Sequence, residues 1–225
     1  MRAVAARAII GLTQLVLVLG AALFAPAWTF DFWQAWVYLL VFAASTILIT
    51  LYLWNKDPQL LQRRLKAGPR AEHEHSQQVI QLLASAAFVG LFVVSSLDRR
   101  FSWSHVASFV SIGADIVVVL GFFIVLLVFR ENTFTAATIE VAQDQAVISS
   151  GPYAFVRHPM YAGALLMLLG TPVALGSWWA LVMFSVLFVA IVWRLREEER
   201  FLSGNLDGYA EYRARVHHRL VPLIW

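Results

Sequence analysis

Residues 159–193 read PMYAGALLMLLGTPVALGSWWALVMFSVLFVAIVW, a run of 35 residues without a charge. A single helix of that length would measure about 52 Å, which exceeds the hydrocarbon core of a bilayer, about 30 Å thick. Pro172 and Gly176 interrupt the run near its middle, and both residue types break helices. The run therefore predicts a helical hairpin with arms at about 160–175 and 178–193. One long kinked helix is the alternative.

Four further apolar runs precede the hairpin, at residues 8–30, 32–55, 76–97 and 106–129. Each is long enough to cross a bilayer, which takes about 20 apolar residues. Hydrophobic residues make up 60% of the chain and charged residues 14%, whereas soluble domains have about 45–50% and about 25%. This composition excludes a soluble globular domain and a disordered chain. We predict an all-α polytopic membrane bundle, a single membrane domain with five to six transmembrane helices.

The basic residues are distributed unevenly between the two sides that six spans imply. Of the 17 Lys and Arg residues, only Arg99 and Arg100 fall on one side, and the other 15 fall on the side of the termini. The positive-inside rule makes that side cytoplasmic, so we expect cytoplasmic termini and a bacterial inner membrane. The opposite interface would carry a belt of Trp28, Trp33, Trp36, Trp103, Trp178 and Trp179.

Few reactive groups lie within the predicted spans. The chain has no cysteine, which excludes thiolate catalysis and metal–sulfur sites formed by this chain, and we predict no metal centre. Asp115 is the one ionisable residue inside a predicted span. It is either a functional carboxylate or a protonated group that is hydrogen-bonded within the bundle. Because transporters and channels place ionisable groups in their spans, the pattern favours chemistry at the membrane surface.

The first segment rich in reactive residues is 151–163, which reads GPYAFVRHPMYAG. The opening Gly-Pro pair predicts a turn. Pro159 suits the first position of a helix, where its missing N–H is not needed. His158 would then cap that helix, beside free backbone N–H groups that favour a carboxylate or phosphate. The alternative is that His158 and Arg157 only cap the helix and contact lipid phosphates.

The second such segment is the tail, residues 194–225, which begins RLREEERFL. We expect the last membrane helix to continue here and to end near Gly204. The adjacent glutamates 197–199 point in different directions around that helix, so at most two can face a pocket. Residues 207–216 predict a second short helix, with Tyr209, Tyr212, Arg213 and Val216 on one face. The alternative interpretation of the tail is an amphipathic anchor at the membrane surface.

Together the two segments resemble the signature of the isoprenylcysteine carboxyl methyltransferases, integral membrane enzymes that use S-adenosylmethionine. The first match consists of Gly151-Pro152-Tyr153, Val156-Arg157-His158-Pro159-Met160-Tyr161 and Gly163. The second match consists of Glu198-Glu199, Tyr209, Tyr212, Val216 and Pro222. The resemblance covers residues 130–225 and is closer to bacterial members. It departs from many eukaryotic members at residues 206–209, where the spacing is one residue shorter.

The resemblance implies an S-adenosylmethionine-dependent methyltransferase with a catalytic half at 130–225, behind four spans within 1–129. The implied donor site consists of Tyr153, Arg157, His158, Pro159, Tyr161, Gly163, Glu198, Tyr209 and Tyr212. Catalytic roles would fall to Glu198, Glu199, Arg196 and Arg213, and an arginine could pair with an acceptor carboxylate. The implied acceptor is a prenylcysteine-like carboxylate or another lipid-linked or amphiphilic molecule in the bilayer. Neither a nucleic acid nor a protein partner is expected.

Three other functions fit the same residues. Membrane sterol reductases carry a similar Arg-x-His-Pro-x-Tyr stretch and use NADPH, but the adjacent glutamates and the short chain favour the methyltransferase. A phospholipid N-methyltransferase would share the methyl donor and differ in the acceptor. A non-enzymatic membrane scaffold would keep the fold and would tolerate the loss of His158 and Glu198.

Overall fold

The computed structural model describes residues 2–65, 74–135 and 145–225. Two basic residues counted for the orientation, Lys66 and Arg70, lie outside these ranges. Within them the regular structure is helical throughout. The helices are α1 (Arg2–Ala27), α2 (Trp33–Lys56), α3 (Pro58–Arg64), α4 (His75–Phe101), α5 (Ser108–Glu131), α6 (Pro159–Ala174), α7 (Leu181–Asn205) and α8 (Tyr209–Arg215). A 3₁₀ turn at Gly151–Ala154 precedes α6.

Four of these helices, α1, α2, α4 and α5, are long and apolar enough to cross a membrane. Helix α6 is apolar but has only 16 residues, and α7 has 25 residues with a charged second half. Large apolar side chains cover much of the outer surface of the bundle. Lipid is the environment that suits an apolar surface of this extent. The prediction of an all-helical polytopic membrane bundle is confirmed.

The run at residues 159–193 forms the predicted hairpin. Helices α6 and α7 are separated by a turn in which Gly176 has a φ angle of +76°. Pro172 lies in the last turn of α6, and its carbonyl oxygen accepts a hydrogen bond from the backbone N–H of Ser177 at 2.9 Å. Because α6 and α7 are separate helices, the alternative of one long kinked helix is wrong. Helix α7 continues well past Trp193 and ends beside Gly204, as the sequence predicted.

Glycines allow the backbones of α5 and α6 to pack in close contact. A Cβ atom at Gly121 would lie 2.6 Å from the backbone nitrogen of Met167, and one at Gly163 would lie 2.9 Å from the carbonyl oxygen of Gly121. Further along both helices, a Cβ atom at Gly170 would lie 3.0 Å from the carbonyl oxygen of Ala114. Helix pairs in lipid depend on such close approach of small residues. Gly163 therefore fixes α6 against α5.

Three connections meet at one end of the bundle. We call it the tryptophan end and define it by residues 28–32, 102–107 and 175–180. The six tryptophans of the predicted belt lie in or next to these connections and are exposed. At this end the carboxylate of Asp98, only 1% exposed, accepts hydrogen bonds from the backbone N–H and the hydroxyl of Ser104, each at 2.6 Å, and from the hydroxyl of Ser177. Asp98 therefore joins α4, the α4–α5 connection and the hairpin turn.

We expect Asp98→Ala to lower the free energy of unfolding by about 2–3 kcal/mol, because the buried hydroxyl of Ser177 and two partly buried donors of Ser104 lose their acceptor. Chemical or thermal unfolding of the detergent-solubilised protein measures this change. Asp31→Ala is the matched control, since Asp31 lies at the same end with a 92% exposed side chain. Equal stability of the two variants would contradict the role assigned to Asp98.

Candidate active site

A cavity of about 420 Å³ lies at the end of the bundle opposite the tryptophan end. It is bounded by the first turns of α6, the second half of α7, α8 and the first half of α4, with residues 132–135 and 145–148 at its edge. Small-molecule sites in proteins have volumes of about 300–1,000 Å³ and mix apolar walls with a few polar groups. Eight of the residues predicted from the sequence line this cavity: Tyr153, Arg157, His158, Pro159, Tyr161, Glu198, Tyr209 and Tyr212.

His158 is the N-cap of α6 and Pro159 is its first residue, as predicted. The backbone N–H groups of Arg157 and His158 donate to the carbonyl oxygens of His218 and Arg219, both at 2.9 Å. The tail therefore runs beside the cap and satisfies two backbone donors that precede the helix. The side chain of His158 remains on the cavity wall.

Glu199 is the centre of a buried ion-pair network. Its Oε1 accepts from Arg157 Nε at 2.7 Å and lies 3.3 Å from His158 Nε2, and its Oε2 accepts from Arg219 Nε at 2.9 Å. The side chains of Arg157 and Glu199 are only 5% and 6% exposed. Arg157 Nη1 also donates to the carbonyl oxygens of residues 216–217. The network joins the cap of α6, helix α7 and the tail.

The partners of Glu199 determine its charge. Burial alone would raise its pKa, because burial disfavours the charged form. Hydrogen bonds from His158, Arg157 and Arg219 oppose this effect and lower the pKa of Glu199 to about 2. Glu199 is thus ionised at neutral pH, and an ionised carboxylate can only accept hydrogen bonds. His158 Nε2 therefore carries the hydrogen in this contact, and the orientation of the ring is set by Glu199.

Glu198, one residue earlier, faces the cavity instead. The hydroxyl of Tyr161 donates to Glu198 Oε2 at 2.5 Å, and Arg194 Nε donates to that hydroxyl at 3.1 Å. Arg194 Nη1 also donates to Gln77 Oε1 at 3.2 Å. This chain of hydrogen bonds connects α4, α6 and α7 on one side of the cavity. The adjacent glutamates thus have different surroundings, as their spacing on a helix predicted.

Three tyrosines form the wall of the cavity near α8. The hydroxyl of Tyr212 donates to the carbonyl oxygen of Tyr153 at 2.8 Å, and the hydroxyl of Tyr153 accepts from Asn132 Nδ2 at 3.0 Å. Tyr209 is 4% exposed, and its hydroxyl has no hydrogen-bond partner in the part of the chain that the structure describes. Burial, together with the carboxylates of α7, raises the pKa of Tyr209. Its hydroxyl is therefore a protonated, buried and unsatisfied donor, in a residue that lines the cavity.

Four residues that the resemblance implied lie outside the cavity lining. Glu199 lies behind the wall in the ion-pair network, and Gly163 packs against α5. Arg196 and Arg213 are exposed, and Arg213 has its Nη1 3.5 Å from the hydroxyl of Ser203. The idea that either arginine pairs with an acceptor carboxylate stays a prediction, and their positions give it no support.

Arg194 and Arg64 also line the cavity. The sequence pattern did not single out these two basic residues for the site. Arg194 precedes Glu198 by four residues on α7, so helical spacing could have placed it on the same face. Arg64 comes from α3, and its guanidinium lies 5.2 Å from the ring centre of Phe129. Its place depends on how α3 packs against α5, which no local sequence pattern predicts.

A comparison with protein families matches a stretch of the chain that contains most of these site residues. A family model described as phospholipid methyltransferase matches residues 109–207. Protein-S-isoprenylcysteine O-methyltransferase of Schizosaccharomyces pombe is 37% identical over 84 residues, which are 36% of this chain and 35% of that protein. The resemblance to membrane methyltransferases is confirmed. The expectation that this chain is closer to the bacterial members of that family stays a prediction.

Two further relatives carry other names. The cobalt-zinc-cadmium resistance protein CzcN of Cupriavidus metallidurans is 30% identical over 108 residues, which are 46% of this chain and 48% of that protein. The Delta(14)-sterol reductase TM7SF2 of Mus musculus is 33% identical over 91 residues, which are 39% of this chain and 22% of that protein. This chain thus spans less than half the length of each curated relative that it matches here.

We expect Glu199→Gln to reduce stability at neutral pH by about 3 kcal/mol, with a characteristic pH dependence. The folded-state pKa of Glu199 is about 2, below its ordinary value of 4.5. Its stabilising contribution is therefore complete above about pH 5 and is lost as the pH falls toward 2. Unfolding is measured at pH 7, 4 and 3. The difference in the free energy of unfolding between wild type and Glu199→Gln should become smaller as the pH falls. Glu197→Gln is the control, because Glu197 lies on the same helix and pairs with the exposed Arg200. A difference between wild type and Glu199→Gln that does not change with pH would contradict the role assigned to Glu199.

Proposed function

We propose that this chain is an S-adenosylmethionine-dependent methyltransferase that acts on a lipid-linked or amphiphilic acceptor at the membrane surface. The observation that carries the proposal is the cavity, because eight residues of the methyltransferase-like segments line it. The similarity to the phospholipid methyltransferase family and to an isoprenylcysteine O-methyltransferase supports the same class of reaction. In this proposal residues 130–225 are the catalytic half and residues 1–129 provide four spans.

The membrane orientation follows from the charge distribution. The cavity lies at the end of the bundle where 15 of the 17 Lys and Arg residues of the sequence were assigned. The positive-inside rule then favours a cavity that opens toward the cytoplasm of a bacterial inner membrane. A water-soluble donor would reach the cavity from that side, and an acceptor with an apolar chain would reach it from the bilayer.

The residues around the cavity suit S-adenosylmethionine, which combines a zwitterionic end, a sulfonium and an aromatic base. Tyr209 offers a buried hydroxyl donor that no described residue satisfies. His158 and Tyr161 would contact the amino-acid end, and their rings already lie 5.8 Å apart. Ile191 and Leu202 provide apolar wall for the base. Mixed surfaces of this kind are typical of cofactor sites.

Bound S-adenosylmethionine would supply a methyl group on a positively charged sulfur. A carboxylate acceptor needs no proton removed, so the chain's tasks are alignment of the two reactants and exclusion of water. The carboxylate of Glu198 would face the sulfonium, whereas Arg64, Arg157 and Arg194 line the same cavity and suit the carboxylates of the two reactants. Glu199 acts as a positioning residue, because its contacts are to Arg157, His158 and Arg219 and hold the His158 ring in place.

The acceptor can be assigned by the chemistry of the methylated product. The purified protein would receive methyl-labelled S-adenosylmethionine with either a farnesylated cysteine or vesicles that contain phosphatidylethanolamine. A methyl ester releases labelled methanol in base, whereas a methyl group on nitrogen is retained. Base-labile product supports a carboxylate acceptor, and base-stable product supports phospholipid N-methylation.

A second candidate function is NADPH-dependent reduction, which the similarity to a sterol reductase supports. Calorimetry with S-adenosylhomocysteine and with NADPH distinguishes the two candidates. Binding of S-adenosylhomocysteine with no response to NADPH supports methyl transfer. Binding of NADPH alone would support the reductase function instead. If a folded sample binds neither ligand, the result would favour a non-enzymatic scaffold.

We expect Tyr209→Phe to weaken binding of S-adenosylhomocysteine by about tenfold, because one hydrogen bond to the ligand is lost. The thermal stability of the ligand-free protein should stay the same or rise, since the substitution removes an unsatisfied buried hydroxyl. Tyr212→Phe is the matched control. Its hydroxyl already bonds the carbonyl oxygen of Tyr153, so this variant should lose stability and keep most of its affinity. The reverse pattern would remove Tyr209 from the ligand site.

The adjacent glutamates should contribute unequally to activity. We expect Glu198→Gln to lower kcat/KM for methyl transfer by about a hundredfold, because a charge is lost from the cavity wall. Glu197→Gln should remain within about twofold of wild type, since Glu197 bonds the exposed Arg200 instead. Steady-state kinetics with labelled donor measures both variants. Similar activity of the two would count against Glu198 as a site residue.

A further inference from the structure

A second group of polar side chains is buried inside the bundle, toward the tryptophan end. Both carboxylate oxygens of Asp115, the hydroxyl oxygen of Ser111 and the amide oxygen of Gln34 are buried and lack a hydrogen-bond partner among the described residues. Buried polar atoms in folded proteins are almost always paired. Here all four unsatisfied atoms are oxygens, which is the donor set that a hard cation prefers.

The four oxygens lie on neighbouring helices. Ser111 and Asp115 are four residues apart on α5 and are 0% and 5% exposed, so both project into the bundle on one face. Gln34 and Tyr38 are likewise four residues apart on α2, which packs against α5. Tyr38 interacts electrostatically with Asp115, and its hydroxyl lies 3.1 Å from the hydroxyl of Thr171 on α6. Three helices therefore contribute buried polar groups to this part of the bundle.

If Asp115 is ionised in this position, its carboxylate needs a positive partner. Moving an unpaired ion from water into an apolar interior is far more costly than the stability of a typical domain allows. The apolar side chains of the bundle and the lipid expected around it add to that cost. The described part of the chain provides no hydrogen-bond donor to either oxygen of Asp115.

We propose that Asp115, Ser111 and Gln34 form a binding site for a monovalent cation, with Tyr38 and Thr171 beside it, and Na⁺ is the probe chosen to test it. One carboxylate balances one positive charge, whereas a divalent ion would leave a net charge inside the membrane. The ligands come from α2 and α5, so the bound ion joins these two helices. This site is separate from the cavity and does not depend on the proposed methyl transfer.

The test is thermal unfolding of the detergent-solubilised full chain, with NaCl replaced stepwise by choline chloride at constant total salt. An ion that binds the folded state alone raises Tm with increasing concentration. We expect this rise in the wild type and its loss in Asp115→Asn. Ser111→Ala should need about tenfold more Na⁺ for the same rise, because one oxygen ligand is lost. Asp31→Asn, an exposed carboxylate at the same end, should respond like the wild type.

Equal Tm values in the two salts would overturn the proposal, as would a sodium response that Asp115→Asn retains. Stability that depends on pH through Asp115 and not on Na⁺ would also overturn it, since a proton would then neutralise the carboxylate. If Asp115→Asn does not fold, Ser111→Ala decides the question. An unchanged sodium requirement in that variant contradicts the site, and a raised requirement supports it.

Discussion

The arrangement of the cavity depends on the ion pairs that the buried carboxylate of Glu199 forms. It is bound by Arg157 and His158 from the cap of α6 and by Arg219 from the tail. These groups are far apart in the sequence and belong to separate elements, so one side chain determines their relative position. Losing the Glu199 carboxylate would leave the buried guanidinium of Arg157 without its counter-charge, which is costly in a protein interior.

The tail completes this arrangement. Leu220 packs with Leu165 and Leu195, so the apolar end of the chain docks on the hairpin. The backbone N–H groups of residues 219–221 donate to the carbonyl oxygen of Trp225, and the guanidinium of Arg219 lies 5.3 Å from the ring centre of Trp225. Leu223 and Ile224, near the end of the tail, stay 90% and 80% exposed and are free to contact the membrane surface. The docked part of the tail supports one wall of the cavity, through its backbone contacts to Arg157 and His158.

Much of the fold was predictable because it depends on local rules. The 35-residue run is too long for one span, and Pro172 with Gly176 marks the turn. The cap at His158 follows from the proline after it. The role of Gly163 was not predictable, because a motif glycine can line a ligand or allow two helices to approach. Only the path of α5 shows that the second role applies. The place of Arg64 depends likewise on the packing of α3.

The adjacent glutamates show why helical spacing alone is insufficient. Neighbouring residues on a helix point about 100° apart, so the pattern predicts different directions without giving the direction of either. The rotation of α7 about its axis decides, and the docked tail limits that rotation. Glu199 then meets two guanidiniums, while Glu198 meets the neutral hydroxyl of Tyr161. The charge of Glu199 is compensated within the protein, and the less compensated charge of Glu198 faces the cavity. A cationic donor would find its complementary charge at Glu198.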